Sequence, residues 1–340
     1  GTCNAMGKNA LTSIITLLLS LSLYGQTFNN PVIRRVWPDP TVWSDGSRFY
    51  TTCTGVKTIL TSDDLVNWTD LKISPLSEEA YKAAKETGRH FWAPDVTRIG
   101  DKWMLYLTCY NSAQDCGIAV FESSSPTGPW EFSGRITHSR ITGIKDTIDP
   151  EIVADPETDK IWMFFGSIGG IHRIELNPEG TSIKEGAGYE HIAGLDINRN
   201  KSRSRVYEGA YLYRRDGWWY LFASAGNYGD HSYRIVVGRS RSIEGRFTDK
   251  EGNDMADGNA SVIMMSEPDD DFFGPGHNGE IITDSKGHDY IIYHCHQRST
   301  GREHERYSLL QRIHWDKDGW PYVKTGKPAV KEGKPNLNRK

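Results

Sequence analysis

The chain has 340 residues, 37% hydrophobic and 25% charged, with a formal net charge of −4. That length holds a sizeable core in one large domain or two ordinary ones. A mildly acidic surface attracts neither nucleic acid nor an anionic membrane, which excludes both as partners. The 16 Tyr and 11 Trp suit a core as well as a sugar-stacking surface and decide nothing alone.

In chain order, Met6-Gly7-Lys8-Asn9 precedes the apolar run ALTSIITLLLSLSL at residues 10–23, followed by Tyr24-Gly25-Gln26. A short basic start, a short apolar stretch and a polar end are expected of a secretory signal peptide, with upstream residues filling 1–26. The run is short for a membrane span; the competing reading is a buried N-terminal helix. The mature protein is thus expected to be exported, periplasmic or extracellular, free of the membrane after cleavage, and monomeric. Cys3 precedes the apolar run, leaving Cys53, Cys109, Cys116 and Cys295. In LYLTCYNSAQDCGIAVFE the ends of two strand-like runs place Cys109 near Cys116, compatible with a hairpin disulfide or with two reduced thiols. No Cys pair has zinc spacing.

From Asp39 a pattern begins that recurs. DPTVWSDGSRFYTTCT is echoed by DVTRIGDKWMLYLTCY from Asp95 and DPEIVADPETDKIWMFFGS from Asp149. EGAYLYRRDGWWYLFASAG from Glu208 and GEIITDSKGHDYIIYHCH from Gly279 complete the set. Each copy reads as a short apolar strand, a turn such as Asp45-Gly46 or Asp216-Gly217, and an aromatic-rich strand. Third strands follow, as in TILTSDDLVNW, ending at Trp68, and RIVVGRSRSIEGRF, ending at Phe247. The one helical pattern is SEEAYKAAKE at 77–86. Five hairpin-built repeats predict an all-β fold, a five-bladed β-propeller over residues 27–325. A pair of β-sandwiches would not regenerate one hairpin pattern five times. Residues 326–340 are expected to form a basic, solvated tail.

In a propeller the first strand of each blade lines the central channel. The repeat therefore places Asp39, Asp95, Asp149 and Glu208 at equivalent points around one mouth. A lone Asp-Pro step is a good turn opener. Several converging carboxylates instead repel, which raises at least one pKa. Glycosidic hydrolysis uses that arrangement: one carboxylate activates water while a protonated partner releases the leaving group.

With PDPTV, FWAPD, TIDPEIV, YEGAYLY and GPGHNG in this order, residues 31–325 resemble glycoside hydrolase family 43, and YRIVVGRSRSIEGRFTDKEGNDM followed by GPGHN is similar to its arabinanase branch. The resemblance implies Asp39 as general base, Glu208 as general acid and Asp149 as the residue that orients the acid and tunes its pKa. It implies inversion at the anomeric carbon, with base and acid roughly 6.5–9.5 Å apart. It also implies that His277 helps hold a calcium or similar ion in the channel through waters, with no redox cofactor. The chain departs from the branch pattern at Gly209-Ala210, after the acid, and at Pro38, before the base; neither change removes a carboxylate.

Trp92 and Trp37 flank the expected mouth and are candidate sugar platforms, while Asp95 and Arg298 are candidate substrate contacts. His294-Cys295-His296 lacks a second ligand pair at zinc spacing. The expected substrate is α-L-arabinan, cut internally. The alternatives are an exo-acting α-L-arabinofuranosidase or β-xylosidase on the same scaffold, and a non-catalytic glycan-binding propeller. A glycoside phosphorylase would need a cationic cluster in the channel, whereas the recognisable blade starts are acidic.

Overall fold

The computed structural model describes residues 25–198 and 203–337; the expected signal peptide and Cys3 lie outside the described residues, except for Gly25 and Gln26. After β1 (Thr27–Asn29), blade 1 consists of β2 (Thr41–Ser44), β3 (Phe49–Thr52), β4 (Leu60–Ser62) and β5 (Thr69–Asp70). Helix α1 (Glu78–Thr87) leads to blade 2, made of β6 (His90–Ile99), β7 (Lys102–Ser112), β8 (Asp115–Ser123) and β9 (Glu131–His138). A four-residue helix α2 (Ser139–Thr142) precedes blade 3, with β10 (Glu151–Ala154), β11 (Ile161–Phe165), β12 (Ile171–Leu176) and β13 (Glu190–Ala193). Blade 4 is β14 (Tyr207–Arg215), β15 (Trp218–Ala225), β16 (Arg234–Ser240) and β17 (Ser261–Met264). In blade 5, β18 (Phe272–Gly276) and β19 (Ile281–Thr283) both pair with β20 (Asp289–Gln297), followed by β21 (Arg306–Trp315) and β22 (Pro321–Tyr322).

Every blade is an antiparallel meander, as the repeated hairpins require. The predicted helix at 77–86 forms one residue later. Ser77 caps it by accepting from the Ala80 N–H at 3.0 Å, with acids in its first turn and Lys85 in its last. Apolar side chains gather between adjoining blades: Trp43 and Leu105 join blades 1 and 2, and Tyr106 and Met163 join 2 and 3. Phe164 and Leu221 join 3 and 4, Phe222 and Tyr293 join 4 and 5, and Phe49 and Leu310 join 5 and 1.

Ring closure is made by the chain ends. β1 pairs with β23 (Lys331–Gly333), so the expected solvated tail is part strand. Its backbone donors and acceptors are satisfied on an otherwise open edge, which outweighs its polar composition. Buried Asn30 donates to the carbonyls of Leu310 (3.0 Å) and Ala329 (2.9 Å) and accepts from the Leu310 N–H at 3.0 Å.

Inside the channel the blades are linked in a circle. Thr41 Oγ1 accepts from the Val96 N–H (3.2 Å), and Asp95 Oδ2 from Ile152 (2.8 Å). Glu151 Oε1 accepts from Leu212 (3.2 Å), and Tyr211 Oη from Ile281 (2.9 Å). Glu280 Oε2 accepts from Val42 and closes the circle. Each blade thus contributes one polar–aliphatic pair whose polar side chain holds the next blade's aliphatic N–H.

The described cysteines are free and buried. Across β7 and β8, Cys109 pairs with Gly117 while Cys116 pairs with Tyr110. Successive residues alternate faces, so the two thiols project from opposite sides of the sheet and the disulfide alternative falls.

Candidate active site

At the start of each blade one residue adopts a left-handed backbone: Asp39 (φ 54°), Ala93 (43°), Asp149 (58°), Gly209 (62°) and His277 (44°). These are the equivalent positions, and they correct the sequence register. Asp95 lies two residues beyond its blade's left-handed position, and Glu208 one residue before. In β6 and β14 the pairing slips between Trp92 and Asp95 and between Glu208 and Tyr211. Such bulges re-aim side chains.

The slip separates Asp95 from the catalytic mouth. It is buried in the inter-blade circle, where burial raises its pKa to about 7 against the Ile152 N–H. The expected substrate contact at Asp95 is therefore a structural acid. Trp37 is also reassigned: only 3% exposed, it packs in the core between blades 5 and 1, donating its indole N–H to Thr51 Oγ1 at 3.1 Å. Arg298 lies outside the central cavity, where it pairs with Glu303 at 2.9 Å and covers the Phe273 ring. Its position after β20 puts it on an outer loop rather than on the channel wall.

A cavity of about 410 Å³ brings together Asp39, Asp149, Glu208, His277 and Trp92. Asp39 accepts from Thr54 Oγ1 at 2.5 Å, and Thr54 in turn accepts from the Ala93 N–H at 2.9 Å. His277 Nδ1 lies 3.1 Å from Asp39 Oδ1, and Arg306 donates to the same oxygen at 3.3 Å. The Asp39 N–H donates to His294 Nδ1 at 3.0 Å, so that nitrogen carries no proton and its 3.3 Å approach to Oδ1 is not a donation. Burial pushes Asp39 upward, but His277 and then Arg306 outweigh it and hold the carboxyl well below the usual carboxylate range. Burial depresses His294 to about 3, keeping it neutral.

Asp149 is in the opposite situation. Burial, followed by the charges of Glu208, Asp39 and Asp146, raises its pKa well above the usual range; the Gly209 N–H works against this. Its own N–H is held by Thr108 Oγ1 at 2.9 Å. Glu208 accepts from Ser167 Oγ (2.6 Å) and Tyr233 Oη (2.8 Å). Tyr233 stacks on His294 at 5.8 Å and passes so close to Gly276 that a Cβ there would sit 2.0 Å from its ring. Gly209 is required for a related reason: φ is positive and a Cβ would meet the His277 ring at 3.2 Å.

Trp92 lines the cavity, but its indole stacks on Tyr110 at 3.9 Å. The sequence reading missed Arg306, Arg203, Tyr110, Asp146, Ser167, Tyr228 and Tyr233, all on the cavity wall. They come from second and third strands and from loops, where no repeat flags them. Arg306 and Arg203 add cations to the cavity, in company with four carboxyls.

Calcium takes six to eight oxygen ligands. Among the described residues no group of three or more His, Cys, Asp or Glu side chains is arranged to hold a metal ion. His277 Nδ1 is already engaged with Asp39. A directly ligated ion does not fit this set, and no step below is routed through one. Among the described residues, no helix is long and apolar enough to cross a membrane. A larger groove, about 760 Å³, lies on the outside of blade 1 near Trp68 and Lys334 and contains no converging acids.

Residues 28–321 match the model of glycosyl hydrolases family 43. The chain belongs to glycoside hydrolase family 43. It is 30% identical over 303 residues to the extracellular exo-α-(1→5)-L-arabinofuranosidase ArbA of Cellvibrio japonicus, covering 84% of this chain and 85% of that protein. It is 28% identical to the extracellular endo-α-(1→5)-L-arabinanase 2 of Bacillus subtilis, covering 91% and 74%. The solved α-L-arabinanase of Cellvibrio cellulosa, in complex with arabinohexaose, superposes with a TM-score of 0.72 at 28% identity, over 88% of this chain and 96% of that one. The five-bladed propeller and the family expected from the sequence both stand.

Proposed function

We propose that this family 43 glycoside hydrolase is an exported enzyme that cuts α-1,5-linked L-arabinan internally, with inversion. The observation that carries the reading is the convergence of these carboxyls on one cavity. Asp39 is held as an anion by His277, Arg306 and Thr54, and Glu208, fixed by the Ser167 and Tyr233 hydroxyls, lines the same cavity beside Asp149. A carboxylate kept ionised and a second carboxyl on the same cavity are the two groups that inverting hydrolysis uses.

In the proposed reaction Asp39 removes a proton from water as its oxygen attacks the anomeric carbon. The glycosidic C–O bond breaks on the opposite face, and Glu208 gives its proton to the leaving oxygen. Asp149 is the positioning residue: its carboxyl faces the N–H of Gly209, the residue that follows the acid. The arabinan assignment draws on the named relatives, endo-acting and exo-acting alike, and export draws on those named extracellular.

The 30% identity to an exo-acting arabinofuranosidase favours a second reading, release of single arabinose units. Digestion of linear α-1,5-arabinan, with proton NMR of the first product anomer and chromatography of product lengths, separates the two. Mixed oligosaccharides with the β anomer appearing first support internal inverting cleavage. Arabinose alone favours the exo reading, and the α anomer first would remove the single-displacement mechanism.

A further inference from the structure

Asp146 stands three residues before Asp149 and lines the same cavity as Asp39 and Glu208. Its backbone is left-handed, at φ 56°, a conformation that Asp tolerates better than most residues. Its N–H is fixed on the Ala113 carbonyl at 2.9 Å. The Tyr110 hydroxyl faces the carboxyl and helps hold down its pKa, and the Tyr110 ring stacks on Trp92. Arg203 exerts only a through-space pull. Oδ1 is buried and, among the described residues, has no hydrogen-bond partner.

A buried acceptor without a donor calls for an explanation. The base, the acid and the residue that positions the acid are already accounted for, so hydrolysis leaves Asp146 without a task. In a cavity that admits sugar, the donors that arrive are hydroxyls, and an ionised carboxylate accepts them strongly. The terminal torsion of Asp is broad and roughly two-fold, so a half-turn exchanges the two oxygens and either can accept from a hydroxyl that enters the cavity. Burial and the Glu208 charge set the Asp146 pKa at about 6, so the anion prevails at neutral pH.

We propose that Asp146 determines specificity by accepting a hydrogen bond from one ring hydroxyl of the neutral furanose bound beside Glu208, selecting the configuration at that carbon. The inference rests on the arabinan reading above. The test uses the full chain, α-1,5-arabinotetraose and analogues that each lack one ring hydroxyl at C2 or C3. Asp146→Ala should lower kcat/KM on the parent roughly 10- to 100-fold, yet change it less than about threefold on the one analogue lacking the recognised hydroxyl. Asp146→Asn keeps an amide oxygen and should recover much of the loss on the parent; its thermal melt serves as the folding control, and it takes the same panel if the Ala variant does not fold. Equal losses on parent and all analogues, or no loss on any, would overturn the assignment while leaving arabinan cleavage intact. Silence of the unmodified enzyme on the whole panel would overturn both.

Discussion

The Arg306 guanidinium donates to Oδ1 of Asp39 at 3.3 Å across 267 residues of sequence. With His277 it offsets the burial that would otherwise protonate the carboxyl. Because the folded pKa is depressed, Asp39 stays ionised down to low pH. Arg306→Met should therefore move the acidic limb of the kcat/KM profile to higher pH. An unmoved limb would show that Arg306 does not tune the base.

Replacing Glu208 with Gln removes the proton given to the leaving group. Turnover of arabino-oligosaccharides should fall by about 10²–10⁴-fold, while an activated aryl arabinofuranoside, which needs little protonation, is partly spared. Asp39→Asn should depress both substrates alike, since each needs the same activated water. Steady-state rates on the two substrates separate these roles, and equal losses with Glu208→Gln would deny it the acid role.

The channel circle makes alkaline stability a property of three carboxyls without cations. Burial, then Asp95, raises Glu280 from 4.5 to about 8, and burial, then Asp95 and Glu280, raises Glu151 well above its usual range. A group whose folded pKa is raised contributes stability that is full below its unfolded pKa and is lost as pH rises through the folded value. For Glu280 that window runs from about 4.5 to about 8. Glu280→Gln keeps an oxygen for the Val42 N–H and carries no charge. Its melting temperature should exceed the parent's by at least roughly 3 °C at pH 8.5, and the gain should shrink toward pH 4.5. A lower melt at every pH would refute the electrostatic account.

Asn30 joins the first segment to blade 5 through two buried hydrogen bonds with Leu310 and to the C-terminal segment through a part-buried one with Ala329. Asn30→Ala strands the Leu310 N–H and two carbonyls, and should destabilise the fold by about 2–4 kcal/mol without changing KM. Urea unfolding measures the first quantity and initial rates the second. A shifted KM with an unchanged midpoint would contradict a purely structural role.

The short-range features were legible because they are written in short-range chemistry. Asp45-Gly46 and Asp216-Gly217 make turns wherever they stand, and Ser77 caps a helix within three residues of itself. Asp39, Asp149 and Glu208 were found as acids opening repeated hairpins. Asp95 was misplaced by the same device: Asp95-Val96 imitates an acidic blade start but aligns with Thr41-Val42 in the channel circle. A two-residue offset on an inner strand keeps the alternation of faces, so the apolar pattern cannot reveal it. Trp37 failed differently, since proximity in sequence to Asp39 says nothing about which way a side chain leaves the backbone.

The sequence by itself determined the repeat, the strands, the helix at the first blade's end and the acids at the blade mouths, because period, turn chemistry and capping act over a few residues. The tertiary structure decided which residues share the cavity. Arg306 and His294 reach Asp39 only after five blades have curled into a ring, a closure that Asn30 joins by meeting Leu310, whereas Tyr233 reaches Glu208 by the folding of blade 4 alone. Contacts made by closing a ring leave no local pattern, since each partner is constrained only by the other's position in space.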